Sequence, residues 1–465
     1  MNRKNIRNRK KRKLNIRGKI CLLVLILIIV SLVVTKNKKQ TEITSLNENK
    51  HIIEVTDTYS IKIDIPDSKD ENIEKEIKEW VDARKTEFMQ SIDNELLKEK
   101  QMQYELVINY EQSEYNNIQS THLVSYMYTG GNHYLRDDQS YYYDLVNNKE
   151  VVLTDFLKDK NNFKKIAQLS YFEVMEEIEK RKSNLDENWV KDGTEANIEN
   201  YENFEFNEEG LNVLFPPYQV APWSEGEIKV VIPYDKIKDI INFEIPENKE
   251  NEVIKIERNT RDVENLKGKK VIAVTFDDGP SNKTEYLLQE LEKEDWKVTF
   301  FVLGSRAKEY PELIKKMYKD GHEIGSHTYS HLNLKNLSDY EIYKEINNTN
   351  KIIEETIGIK PQYLRPPYGN TNDHIKEIAD MTTILWNVDT LDWKSRNEDA
   401  VYKEIMKNAS DGSIILLHDL YQTSIDGAIK AMKELEKQGY EFVTIDEMFK
   451  IKGEEIDKNK SYFNL

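Results

Sequence analysis

From Lys269 onward, short apolar runs alternate with amphipathic helical stretches, and this restricts the fold more than any other feature of the chain. Strands are expected at Val271–Thr275, Val298–Leu303, Thr382–Trp386, Ser413–Leu417 and Tyr440–Thr444. Helices are expected between them, at Glu285–Glu294, Pro311–Lys319, Asp339–Glu355, Asp399–Asn408 and Gly427–Gln438. Such repetition implies an α/β fold with a parallel sheet, open or closed as a barrel. In either form, reactive side chains gather at the carboxyl ends of the strands.

The first strand runs into Phe276-Asp277-Asp278-Gly279-Pro280. Two adjacent carboxylates are costly to hold together unless a shared proton or a cation relieves them. Taken alone, the segment reads first as a turn. Another candidate strand end leads into Ile324-Gly325-Ser326-His327-Thr328-Tyr329-Ser330-His331. Two imidazoles at i and i+4 lie on one face of a helical turn and can reach one ion. With Asp278 they make a two-His, one-carboxylate set that leaves coordination positions for water and substrate. This donor set suits one divalent ion, zinc foremost, with cobalt, manganese or iron also suited. The chain's single cysteine, Cys21, excludes a Cys-cluster metal site and a disulfide scaffold.

Three further segments fall at strand ends or in the loops after them. Arg365-Pro366-Pro367-Tyr368-Gly369 is stiff, because two prolines fix backbone angles, and it can present the Tyr368 amide outward. Asp389-Thr390-Leu391-Asp392-Trp393 follows the strand ending at Trp386, and Leu416-Leu417-His418-Asp419 closes the strand from Ser413. All five segments arrive in order within the 142 residues from Asp277 to His418.

Together they resemble the polysaccharide deacetylase domain of carbohydrate esterase family four, the chitooligosaccharide deacetylase homology domain, over residues 269–450. The resemblance implies a distorted (β/α) barrel and a metal-dependent hydrolase that removes acetyl groups from N-acetylated sugars. It implies Asp277 as general base, held by Arg365, and Asp278, His327 and His331 as metal ligands. The Tyr368 backbone would help the oxyanion, Trp393 and Leu416 would line the acetyl pocket, and Asp392 would tune His418, the general acid. The sequence departs from the family pattern at none of these positions.

Residues 56–245 read as a separate α+β domain. Tyr59–Ile65, Met102–Tyr110, His122–Tyr128, Ser140–Leu145 and Glu227–Pro233 are strand-like. Ile73, Ile77, Val81, Phe88, Ile92 and Leu96 fall on one face of a helix, and Asn162–Glu179 forms another. The row Tyr141-Tyr142-Tyr143 reads as a packed strand face, with carbohydrate stacking as the alternative. The loops Tyr128-Thr129-Gly130-Gly131-Asn132-His133 and Phe215-Pro216-Pro217-Tyr218-Gln219-Val220-Ala221-Pro222 resemble parts of an uncharacterised amino-terminal domain of some Gram-positive cell-wall deacetylases. His133 reads as a turn histidine before it reads as a ligand. Residues 246–268 are expected as a linker and 451–465 as a polar tail.

Residues 1–19 carry ten Lys/Arg and no acid, which leaves the remainder with 57 basic against 84 acidic groups, a net of −27. That balance argues against a nucleic-acid partner. After the basic head, the apolar run Ile20–Val34 would span about 22 Å as a helix, extendable toward the ~30 Å hydrocarbon core by Thr35 and snorkelling lysines. No small-residue cleavage site follows, so residues 20–35 are expected to be an uncleaved transmembrane helix, a signal anchor, followed by a stalk over 36–55. Cys21 stands at the wrong end of the run for a lipoprotein acceptor. The positive head stays cytoplasmic, which would make this a single-pass cell-membrane protein with its body extracellular. An outward-facing enzyme of this class would act on peptidoglycan N-acetylglucosamine or N-acetylmuramic acid and release acetate. The same motifs also serve chitin oligomers and acetylxylan. A reading from another class is a wall-binding scaffold in which hydrolysis is secondary.

Overall fold

The computed structural model describes residues 50–92, 104–131, 133–183, 186–243, 245 and 256–465. The expected basic head, membrane helix and most of the stalk lie outside these residues. Among the described residues, no helix is long and apolar enough to cross a membrane. The chain divides into two units between Ile245 and Pro246.

The first unit is α+β, as expected. Its main sheet runs in the order His51–Val55, Tyr59–Asp64, Tyr104–Tyr115, Ile118–Tyr128, Leu135–Asp144, Lys149–Glu150. His51–Val55, expected within the stalk, is its edge strand. Ile53 and Val55 point to solvent there, so apolar residues occupy both faces and the alternation that marks a strand is lost. The helix Glu71–Ser91 starts at Asp70, whose carboxylate accepts the N–H groups of Asn72 at 2.8 Å and Ile73 at 3.1 Å. Ile73, Ile77, Val81 and Phe88 bury against Ile61, Ile63, Leu106 and Leu123, each contributing about 2 kcal/mol. Leu96, expected on that face, is outside the described residues. A helix at Phe163–Arg181 and a three-stranded antiparallel sheet belong to the same unit. The Tyr141–Tyr143 row is buried, with Tyr142 stacked on Phe204 at a centroid distance of 3.9 Å.

In the second unit the strands are β1 (Lys270–Asp277), β2 (Thr299–Val302), β3 (Glu323–Ser326), β4 (Tyr363–Leu364), β5 (Thr382–Ile384), β6 (Val388–Asp389), β7 (Ile414–His418), β8 (Tyr440–Phe442) and β9 (Ser461–Tyr462). Their ladders are all parallel, in the order β6-β7-β1-β2-β3-β4-β5-β9, with β8 beside the start of β1. Ile272, Val274 and Phe276 pack outward with Leu287, Leu288 and Leu291 of the helix Thr284–Lys293. Val271 and Ala273 pack inward with Phe301, Tyr363, Ile384 and Ile414. By the period of two, Thr275 and Asp277 therefore fall on the inner face, at the carboxyl end of β1.

The ends of the unit differ from expectation. Residues 451–465 are part of the fold: β9 pairs with β5, Ser413 bridges Asn464, and the Leu465 N–H donates to the Gly412 carbonyl at 3.0 Å. This segment joins β5 to the start of β7, and only Ile451, Tyr462 and Leu465 reach the inner core, too few to lift it above a polar composition. Likewise, residues 256–268 of the expected linker pack on the second unit. Leu266 is buried there, and Arg261 grips Glu447 through two bonds of 3.0 Å.

Candidate active site

Asp277 and His418 are register partners across β1 and β7, so both side chains leave the sheet at the same level. Asp277 is buried, and its Oδ1 accepts from Arg365 Nη1 at 2.8 Å. The Arg365 guanidinium is fully buried as well. It also donates to the Thr275 hydroxyl at 2.6 Å and to the carbonyls of Ile384 at 3.1 Å and Leu385 at 3.0 Å. Its cationic plane lies over the Phe301 ring at 4.1 Å.

Asp278 leaves the strand at φ +70°, which separates its carboxylate from that of Asp277. Asp278 Oδ1 lies 3.4 Å from Nε2 of His327 and 3.4 Å from Nε2 of His331. Nδ1 of His327 is 2.6 Å from the Arg365 carbonyl, which can only accept, so the proton sits on Nδ1 and the Nε2 lone pair faces Asp278. The expected helical turn between the two histidines is corrected: residues 327–331 form a loop, with Thr328 at φ +69° and His331 at φ +62°. The left-handed residues, rather than helical spacing, bring the two rings to 5.0 Å.

This group can hold a metal ion. The ligand atoms of Asp278, His327 and His331 all lie within 4.8 Å of one another. Asp278 Oδ1 is buried and has no hydrogen-bond partner among the described residues. A desolvated anionic oxygen without a donor is costly, and a cation answers it. Burial works against the charge of Asp278. The positive charges that His327, His331 and His418 carry when protonated outweigh burial and hold the carboxyl down at about 2.

Opposite this group, Asp392 is fully buried and accepts twice from His418, from Nδ1 at 2.8 Å and from the backbone N–H at 2.8 Å. Burial lowers the imidazole's proton affinity, but Asp392, followed by Asp277 and Asp278, raises it to about 9. Tyr368 stands at φ +61° with its ring exposed, 4.8 Å from the His331 ring. Trp393 is 50% exposed, and its backbone N–H donates to Asp392 Oδ1 at 2.8 Å. Leu416 is buried in β7, and its carbonyl accepts the Thr390 hydroxyl at 2.8 Å. Asp278, Thr328, His331, Tyr368 and Leu391 all take left-handed backbone, a concentration of strain typical of functional sites.

Two residues escape sequence reasoning. Thr275 anchors Arg365, and its position two before Asp277 on one strand face could have found it. Glu345, on the helix Asp339–Ile357, accepts the N–H groups of Tyr329 at 3.1 Å and Ser330 at 2.9 Å and the Ser330 hydroxyl at 2.6 Å. It thus clamps the loop between the two histidines. Its signal is a carboxylate on the helix face that buries Ile342, Ile346, Thr349 and Ile353.

Residues 264–384 match the family described as polysaccharide deacetylase. The chain is 33% identical over 409 residues to the peptidoglycan-N-acetylmuramic acid deacetylase PdaC of Bacillus subtilis, covering 85% of this chain and 86% of that protein. The chain belongs to the polysaccharide deacetylases. Another polysaccharide deacetylase, the peptidoglycan-N-acetylglucosamine deacetylase PgdA of Listeria monocytogenes, is 41% identical over 204 residues, 44% of this chain and 43% of its own length. A solved structure of the Bacillus subtilis peptidoglycan deacetylase PdaC is 45% identical and covers 40% of this chain and 93% of its own, with a TM-score of 0.40. Residues 154–235 of this polysaccharide deacetylase match a second family, described as a protein of unknown function (DUF3298).

Proposed function

We propose that the chain is a peptidoglycan N-deacetylase that removes acetyl groups from N-acetylmuramic acid or N-acetylglucosamine. The division of labour between two adjacent carboxylates carries this reading. Asp277 is neutralised by Arg365, whereas Asp278 shares one oxygen with both imidazoles. The names of the two relatives support peptidoglycan as the polymer.

Asp278, His327 and His331 would hold one divalent ion, zinc by the character of the donors. When bound, such an ion supplies Lewis-acid polarisation of the acetyl carbonyl and of the attacking water. Asp277, kept out of the ligand set by Arg365, takes the water's proton on Oδ2. The Tyr368 N–H donates to the developing oxyanion, a contact worth on the order of 3 kcal/mol. His418, oriented by Asp392, gives its proton to the departing amine. Trp393 and Leu416 would enclose the acetyl methyl. Acetate and a free amino sugar result. The substrate lies outside the cell membrane, where the basic head and the apolar run over 20–34 would hold the enzyme.

Acetate release from purified peptidoglycan by the metal-reconstituted full chain, beside Asp277→Asn, tests this. Release by the parent and not by the variant is expected. Release by both would remove Asp277 as base. Release only from chitin oligomers or acetylxylan would replace peptidoglycan as the substrate.

A further inference from the structure

The two loops singled out in the first unit are far apart in sequence but meet in space. The His133 ring lies 5.0 Å from that of Trp223 at a tilt of 32°, and the Tyr218 ring lies 6.0 Å from Trp223 at 35°. The Tyr218 hydroxyl is 3.3 Å from His133 Nε2. Next in sequence to His133, Tyr134 packs on Tyr128 at 5.3 Å and donates its hydroxyl to Glu105 at 2.6 Å. The surface stays open to solvent, with Tyr218 54% exposed, Tyr134 37% exposed and His133 also exposed.

Core packing does not account for Tyr218. Its φ is +75°, where a bulky side chain is strained and glycine is not. The Tyr218 backbone holds its place in the turn: the N–H donates to the Ala221 carbonyl at 2.8 Å, and its carbonyl accepts Trp189 Nε1 at 3.1 Å. An aromatic ring held out to water on strained backbone, among other exposed rings, marks a contact surface.

We propose that His133, Tyr218 and Trp223, flanked by Tyr134, form a glycan-binding platform for strands of the N-acetylated polysaccharide that the second unit deacetylates. This rests on the reading of that polysaccharide as substrate. A pyranose ring presents an apolar C–H face to an aromatic ring and hydroxyl and acetamido groups at its rim. The platform offers the complement, flat apolar faces whose edges carry an indole N–H, phenol hydroxyls and an imidazole. Nucleobases also stack on aromatic rings, but their phosphates need cations. Here Glu105, which accepts from Tyr134, and Glu225, two residues after Trp223, stand beside the rings, on a body of net charge −27.

Retention of the full chain on peptide-free chitin and on purified peptidoglycan tests the platform, alongside deacetylation of a soluble N-acetylglucosamine tetramer. Tyr218→Gly relieves the backbone, so it folds at least as well as the parent while deleting one ring. Retention should fall roughly tenfold in Tyr218→Gly and in Trp223→Ala, the scale of one lost stacking contact. KM on the polymer should rise with kcat unchanged, and tetramer kinetics should equal those of the parent. Unchanged retention in both variants overturns the platform. So does retention that depends on the rings only on peptidoglycan, because the partner would then be the wall peptides. Ring-dependent retention with no deacetylation of any glycan by the parent would sink the catalytic reading and leave the platform standing.

Discussion

His418 and Asp392 are joined twice, Nδ1 and the backbone N–H of the histidine each reaching a different carboxylate oxygen at 2.8 Å. The pair fixes both the tautomer and the orientation of the imidazole at the end of β7, level with Asp277 on β1. Asp392→Asn replaces one accepting oxygen with an N–H₂ donor that cannot serve Nδ1–H. We expect kcat to fall by about 10²–10⁴ with metal content unchanged. Because Asp392 does most to lift the imidazole's proton affinity, the alkaline limb of the kcat/KM profile should also move to lower pH. Steady-state kinetics across pH with metal analysis would check both. An unchanged kcat would remove Asp392 from the mechanism.

Arg365 is the largest fully buried side chain among the described residues, and its charge is balanced by Asp277 alone among its four hydrogen-bond partners. Arg365→Met leaves a buried carboxylate without a counter-charge, which should cost about 3–5 kcal/mol and lower the melting temperature. Arg365→Lys keeps the charge but loses the planar fork, so it should fall between parent and Met in both stability and acetate release. A Met variant as stable as the parent would show that another group compensates Asp277.

What was legible in the sequence follows local period and local chemistry. The helix Pro311–Lys319 is found at its expected bounds because Pro311 at the first turn and apolar residues at helical spacing are both local signals. β1 reads as a strand, but its last two residues, Phe276 and Asp277, read with the turn because a carboxylate interrupts the apolar run. The two-residue strands β4, β6 and β9 carry no period at all; only their neighbours in the sheet define them. The ten candidate residues are legible as motifs in the sequence, but their arrangement is not. The histidines meet through left-handed loop backbone, and Glu345, 14 residues beyond His331, holds the loop between them from a helix.

Glu345 tests whether that clamp serves the metal group. Glu345→Gln preserves size but can no longer accept from both the two backbone N–H groups and the Ser330 hydroxyl. Metal affinity should fall about 10–100-fold, the usual cost of losing support around a ligand set. Saturating metal should restore most of kcat, as fits a positioning residue that touches no substrate. Competition with a chromophoric chelator measures the first and metal-saturated kinetics the second. Parent-like affinity would reduce Glu345 to a structural side chain.

His322 and Glu323, at the start of β3, should give this fold opposing pH dependences. His322 is buried and its Nδ1 accepts the Val298 N–H at 3.3 Å, an acceptor that protonation would destroy. Burial first, then the charges of Lys297, Arg258, Lys316 and Arg261, push the imidazole down to about 3. The unfolded chain would take this proton near pH 6.5, so the stability due to neutral His322 is present above about 6.5 and is lost as pH falls toward 3. Burial pushes Glu323 up to about 7, and its contribution has the other sign, present below about 4.5 and lost as pH rises through 7. Between about pH 4.5 and 6.5 the two slopes, each at most on the order of 1 kcal/mol per pH unit, largely cancel. His322→Asn keeps an acceptor for Val298 and removes the titration. Relative to the parent, the variant should gain stability as pH falls from 7 to 5. Urea midpoints of the second unit at both pH values would show it, and parallel shifts in parent and variant would mean that His322 is protonated in the folded protein.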